Sequence, residues 1–278
     1  MGLVSKIKAE AANKKVKIQN EDCTKFDVLL NQAFFLEKDI EEETRFLKMV
    51  MTRGAETQER VGLHASNMLV SDDKFCLRSQ VLSLIYRQLQ GEQISAGLKR
   101  IFEEGNAIHE KWQRIFIRAG WSCAEDLDYT RYSEEFKMSY TPDIVCRIKE
   151  IYDGSMVGEI KSVNTFQFTK MQRHPSAWKQ CQWYMHLEKI KKGFVLSEDK
   201  NTQEFKIELY DYDYELVKPY EERAKRIIYF YYAAINNGRM VKRPDDATAP
   251  TCKRCKTCVM RDACWNINNG RVRITGKG

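Results

Sequence analysis

The chain has 278 residues, enough to bury a full core as one large domain or as a domain with an appendage. Its 46 basic and 39 acidic residues leave a formal net charge of +7, which suits an acidic partner and excludes a disordered basic tail as the whole story. No apolar run is long enough to span a bilayer, and Met1-Gly2-Leu3-Val4-Ser5-Lys6 runs on into Lys, Glu and Ala, so the expectation is a cytoplasmic protein without membrane contact.

Residues 1–70 read as a helical accessory region. A basic first turn or two precedes Phe26, Leu29, Leu30, Ala33, Phe34 and Leu36 at helix-compatible spacing. An acidic stretch from Glu37 to Thr44 follows, and then Phe46, Met49 and Val50 resume the apolar stripe. Ser71-Asp72-Asp73 carries helix-capping residue types, and Val81, Leu82, Leu84 and Ile85 continue an apolar helix with Cys76 near its start. The spacing of Ile101, Ile108, Trp112, Ile115 and Ala119 predicts the next helix over Ala96 to Ala119. His109 lies on its inward side, as a hydrogen-bonded core histidine or as part of a metal site.

The stretch from Ser139 to Val163 predicts a β-hairpin: two apolar runs flank an Asp153-Gly154 turn signal and carry acids at their ends. Asp143 and Glu159 supply hard oxygen ligands, and Lys161, two positions after Glu159, projects from the same strand face. A strict two-residue loop turns Asp143 away from that face, so the loop has odd length. A five-residue loop from Glu150 to Gly154 places Asp143 opposite Lys161 and diagonal to Glu159.

Beyond the hairpin, Phe166 to His174 reads as a flexible basic loop with Lys170, Arg173 and His174. A helix follows in which Gln180 and Tyr184 share a face. Gly193 to Ser197 and Phe205 to Tyr210 alternate like strands that extend the sheet, and Tyr214 to Asn236 forms a helix whose Phe230, Tyr231 and Tyr232 belong to the core. After a Pro-rich linker come Cys252, Cys255, Cys258 and Cys264, too crowded for ordinary core residues. Four local thiolates suffice for zinc.

Taken in order, Cys76, His109, Pro142-Asp143, Glu159-Ile160-Lys161, Gln180-x-x-x-Tyr184 and Cys255-x-x-Cys258-x5-Cys264 resemble the PD-(D/E)xK nucleases. The closest match in pattern is their RecB-like iron–sulfur branch, which includes AddB-type and CRISPR-associated adaptation nucleases. The resemblance implies a mixed central β-sheet flanked by helices, with a restriction-endonuclease-like core, a helical N-terminal region and a C-terminal cysteine-rich segment. It covers residues 71–265 as a nuclease domain and leaves 266–278 as a basic tail.

It further implies Mg2+ or Mn2+ on His109, Asp143, Glu159 and the Ile160 carbonyl, with Lys161 positioning or activating water and Gln180 and Tyr184 in support. A 4Fe-4S cluster is implied on Cys76, Cys255, Cys258 and Cys264, against the local alternative of Zn2+ on Cys252, Cys255, Cys258 and Cys264. The implied activity is hydrolysis of DNA, as an exonuclease on single strands or ends in recombination, repair or processing, with a helicase-nuclease or CRISPR adaptation machine as a partner. The alternative is a non-cleaving nucleic-acid-binding or assembly subunit whose zinc or iron–sulfur site is structural.

Overall fold

The computed structural model describes residues 20–55, 63–86, 96–127 and 129–266; the expected basic first turns ahead of residue 20 and the basic tail beyond residue 266 lie outside them. In chain order the elements are α1 (Asn20–Ala33), α2 (Ile40–Ala55), β1 (Leu63–His64), α3 (Leu77–Ile85), α4 (Ala96–Arg118), β2 (Arg131–Ser133), β3 (Met138–Tyr140) and β4 (Ile144–Arg147). They continue as β5 (Ser155–Val163), α5 (Thr165–Lys170), α6 (Ala177–Glu188), β6 (Lys192–Asp199), β7 (Phe205–Asp211), α7 (Tyr214–Asn237) and α8 (Arg261–Asn266). Among the described residues no helix is long and apolar enough to cross a membrane.

Two compact units divide the chain. The first takes Met1–Thr57, Ile94–Thr130 and Thr141–Val217, and the second takes Gln58–Gln93, Arg131–Tyr140 and Lys218–Gly278. These boundaries do not follow the expected 1–70, 71–265 and 266–278. Phe26, Leu30, Ala33 and Phe46 are buried in one cluster with Trp112, Phe116, Ile160 and Phe194, so α1 and α2 are part of the first unit's core.

The first unit holds a four-stranded sheet in the order β4-β5-β6-β7, antiparallel, parallel and antiparallel in turn. This is the expected mixed sheet flanked by helices, in a mixed α/β protein. Strand alternation sends Met156 and Ile160 to the face covered by α1 and α4, and Val157, Glu159 and Lys161 to the face on which α6 packs. Burial on both faces explains why the central strands read as near-continuous apolar runs.

The hairpin differs from expectation in one respect. Ile144 pairs with Gly158 and Arg147 with Ser155, so the loop spans the seven residues 148–154. Its length is odd, as parity requires, but two residues longer than the predicted five. Extending the ladder one step brings Asp143 level with Glu159 and not with Lys161. The extra length comes from a turn in which Ile151 and Tyr152 both donate to the Ile148 carbonyl at 2.9 Å, a closure that the Asp153-Gly154 signal does not announce.

The second unit contains the three-stranded sheet β1-β3-β2, with α3, α8 and most of α7. The sequence reading missed this sheet, and Leu63–His64 falls in a stretch expected to be helical: strands of two or three residues show no periodicity. The basic loop expected from Phe166 to His174 is helical over Thr165–Lys170, where the Asn164 side chain caps the Gln167 N–H at 2.9 Å. On α7, Tyr229 and Tyr232 are exposed, so the run Phe230, Tyr231 and Tyr232 is not uniformly core.

Candidate functional site

The first unit gathers the residues of the expected nuclease constellation. Asp143 stands immediately before β4, and Glu159, Ile160 and Lys161 are consecutive on β5. His109 lies midway along α4, and Gln180 and Tyr184 lie on α6. The Asp143 carboxylate accepts the Ile160 backbone N–H through Oδ2 at 2.8 Å, while its Oδ1 lies 3.4 Å from His109 Nδ1. Gln113, one turn beyond His109, donates to the Asp143 carbonyl at 2.8 Å and ties α4 to the start of β4.

Glu159 is 1% exposed in its side chain, with Oε1 paired to the Lys161 ammonium and Oε2 buried without a hydrogen-bond partner among the described residues. Burial, reinforced by the Asp143 charge, pushes the Glu159 carboxyl up to about 7. For Asp143 burial also acts upward, but the His109 and Lys161 charges and the Ile160 N–H outweigh it and hold the carboxyl below its usual range. Burial acts downward on His109 and Lys161, and the neighbouring carboxylates overcome it, so both are held above their ordinary values. Lys161 is therefore an ammonium at neutral pH, a donor and not a base.

On α6, Gln180 Nε2 donates to the Tyr184 hydroxyl at 3.0 Å, as their four-residue spacing predicts. Burial and the Glu159 charge push the Tyr184 phenol upward, so it stays protonated beside the carboxylates. Two neighbours escaped the sequence reading. Ser197 on β6 is level with Lys161, and its buried hydroxyl has no hydrogen-bond partner among the described residues. His174 accepts the Ala177 N–H at 3.0 Å, and burial and the Lys161 charge push it down to about 4, so it is neutral. Neither residue carries a signal apart from its place in the fold. Next to them, a cavity of about 280 Å3 is lined by Val163, Phe166, Lys170, Arg173, His174 and Pro175.

The expected ligands are neighbours, but they face one another. Among the described residues no three His, Cys, Asp or Glu side chains converge as a metal ion would require. Asp143 is turned to His109 and the Ile160 N–H, and Glu159 to Lys161, so the acids are satisfied by internal partners except at Glu159 Oε2. That unpartnered buried oxygen, on an all-oxygen and imidazole donor set, fits a hard divalent cation.

The second unit holds the cysteines. Cys76, Cys255, Cys258 and Cys264 line one cavity of about 240 Å3, and Cys252 is not part of its lining. Arg78 Nε donates to Cys264 Sγ at 3.2 Å, and the Ser79 hydroxyl lies 3.4 Å from Cys258 Sγ. Burial, then the Cys252 thiol, pushes Cys255 up to about 11, with the Trp265 indole N–H opposing. Cys252 is lowered, chiefly by the Cys255 backbone N–H.

No protein-family model and no curated protein matches the chain. Three solved structures resemble it in part. LHK-Exo in complex with dAMP is 16% identical with a TM-score of 0.46, over 63% of this chain and 89% of that one. The alkaline exonuclease LHK-Exo from Laribacter hongkongensis is 17% identical with a TM-score of 0.44, over the same shares. The protein SSO0001 is 12% identical with a TM-score of 0.42, over 84% of this chain and 98% of that one. The functional reading rests on the chain's own side chains.

Proposed function

We propose that the chain is a metal-dependent deoxyribonuclease of the PD-(D/E)xK type, acting as an exonuclease on single strands or DNA ends. The observation that carries this reading is the placement of Asp143, Glu159 and Lys161 on one sheet face beside His109, with Glu159 Oε2 buried and unpartnered. His109, Asp143, Glu159 and the Ile160 carbonyl are the residues that would hold Mg2+ or Mn2+. When bound, the ion supplies Lewis acidity and a water of lowered pKa.

The chain's own groups then have distinct tasks. Lys161, kept as an ammonium by Glu159 and Asp143, orients the attacking water or donates to the phosphoryl oxygen on which charge develops. The Ile160 N–H and His109 fix the Asp143 carboxylate, so its orientation is set before substrate arrives. Gln180 holds the Tyr184 hydroxyl beside the two acids, where it remains a donor at any working pH. Lys170 and Arg173, next to the exposed Phe166 ring on the neighbouring cavity, suit a phosphate and an unstacked base.

In the second unit we assign a 4Fe-4S cluster to Cys76, Cys255, Cys258 and Cys264. The cavity supports this set over the zinc alternative, because it draws in Cys76 from a distant part of the sequence and leaves out Cys252.

End-labelled single-stranded and duplex oligonucleotides, incubated with Mn2+, Mg2+ or chelator, test the reading. Metal-dependent shortening in the wild type, abolished in both Asp143→Ala and Lys161→Ala, supports it. Wild-type protein that binds DNA and never cuts it overturns it in favour of a binding subunit.

A further inference from the structure

The cysteine cavity is walled by two polar groups that the polypeptide leaves unsatisfied. The Arg243 guanidinium stacks 4.2 Å over the Trp265 ring and donates through one terminal nitrogen to the Cys264 carbonyl at 2.7 Å. Its Nε is nevertheless buried without a hydrogen-bond partner among the described residues, and so is the indole Nε1 of Trp265. Both residues line the same cavity as the four cysteines.

A buried N–H left unpaired costs about 1–3 kcal/mol, so two of them on one wall call for an acceptor that the folded chain does not itself provide. Cys264 and Cys258 already have Arg78 and Ser79 beside their sulfurs. A lone zinc ion brings no acceptor atoms. The inorganic sulfides of an iron–sulfur core do, and such a core is anionic when ligated by four thiolates, in keeping with a wall that also includes Lys74, Arg254 and Arg261.

We propose that Trp265 Nε1 and Arg243 Nε donate hydrogen bonds to the sulfurs of the core held by Cys76, Cys255, Cys258 and Cys264, and so set its electron affinity. This rests on the iron–sulfur reading above and adds to it two positioning residues with a defined task. Donors at sulfur withdraw negative charge and favour the form that has gained an electron. The redox step is the entry of one electron from a low-potential one-electron donor. No bond forms or breaks, and no proton leaves either residue.

The test uses the full chain purified without oxygen, with iron, sulfide and zinc measured first. The midpoint potential is then read by dithionite titration, followed by absorbance and electron paramagnetic resonance, for the wild type, Trp265→Phe and Arg243→Lys. Each variant is expected to keep iron and sulfide and to be harder to reduce by about tenfold in the reduction equilibrium, or about 59 mV for one electron. Unchanged midpoints with iron and sulfide retained overturn the donor assignment and leave the cluster reading standing. Zinc without sulfide in the wild type overturns both. If a variant loses its iron, wild-type protein labelled with indole-15N tryptophan decides: a nitrogen coupling to the reduced core supports the assignment, and its absence overturns it.

Discussion

Asp143 and Ile160 are joined across the hairpin by a 2.8 Å hydrogen bond from the Ile160 backbone N–H to Oδ2, which leaves Oδ1 facing His109. Asp143→Asn keeps an acceptor for that N–H and removes only the charge, so the fold should persist. His109 then retains the burial that lowers its pKa and loses the charge that raises it, and its titration should fall below the ordinary 6.5. Cleavage should drop by about 100-fold or more. Imidazole titration by NMR beside the nuclease assay checks both, and a His109 pKa that does not move would contradict the pairing.

Metal uptake should release protons near neutrality. Glu159, held up to about 7 by burial and by Asp143, carries its proton in most molecules at pH 6, and the raised His109 adds a second in the same range. A cation must displace these protons, so Mn2+ affinity should fall about tenfold per pH unit below 7 for each of them and level off above pH 8. Calorimetric titrations in buffers of different ionisation enthalpy count the protons. Affinity that does not change between pH 6 and pH 8 would show that these groups are not the ligands.

Lys161→Met should cost stability in a pH-dependent way. In the wild type the buried Glu159 carboxyl has a raised pKa, so its favourable contribution is complete below its unfolded value and lost as pH rises through about 7. Removing the ammonium raises that pKa further and extends the loss to higher pH. At pH 5, where the carboxyl is neutral in both proteins, the variant should unfold close to the wild type. At pH 8 its deficit should approach the roughly 3–5 kcal/mol of a broken buried pair. Urea unfolding at the two pH values gives the comparison, and an equal deficit at both would rule out Glu159 as the cause.

The sequence carried the site further than it carried the fold. Glu159 and Lys161 share a face through period-two alternation, and Gln180 meets Tyr184 through helical spacing; both relations are local and survive whatever surrounds them. Parity alone placed Asp143 on the same face, but the register depended on loop closure at Ile148, which no residue signal encodes. The short strands of the second sheet, the burial of α1 against the first, and the place of Ser197 beside Lys161 are all set by contacts remote in sequence. Cys252 and Cys255 look equivalent in the sequence. Only the cavity that includes Cys76 separates them.

Gly158 fixes the height of β5 over the core, and with it the position of Glu159. A Cβ at Gly158 would stand 2.2 Å from Phe194 Cζ, and Phe194 cannot swing away because its ring is stacked on Phe116 at 5.6 Å and packed edge-on by Phe26 at 5.1 Å. Gly158→Ala should therefore destabilise the protein by about 1–3 kcal/mol, as overpacking of a filled core does. The strand can relieve the clash only by lifting, which displaces Glu159 from Asp143, so cleavage should fall beyond what the unfolded fraction explains. Thermal unfolding with activity normalised to folded protein measures the two effects. Full activity per folded molecule would mean that the core yields at Phe194 and β5 stays in place.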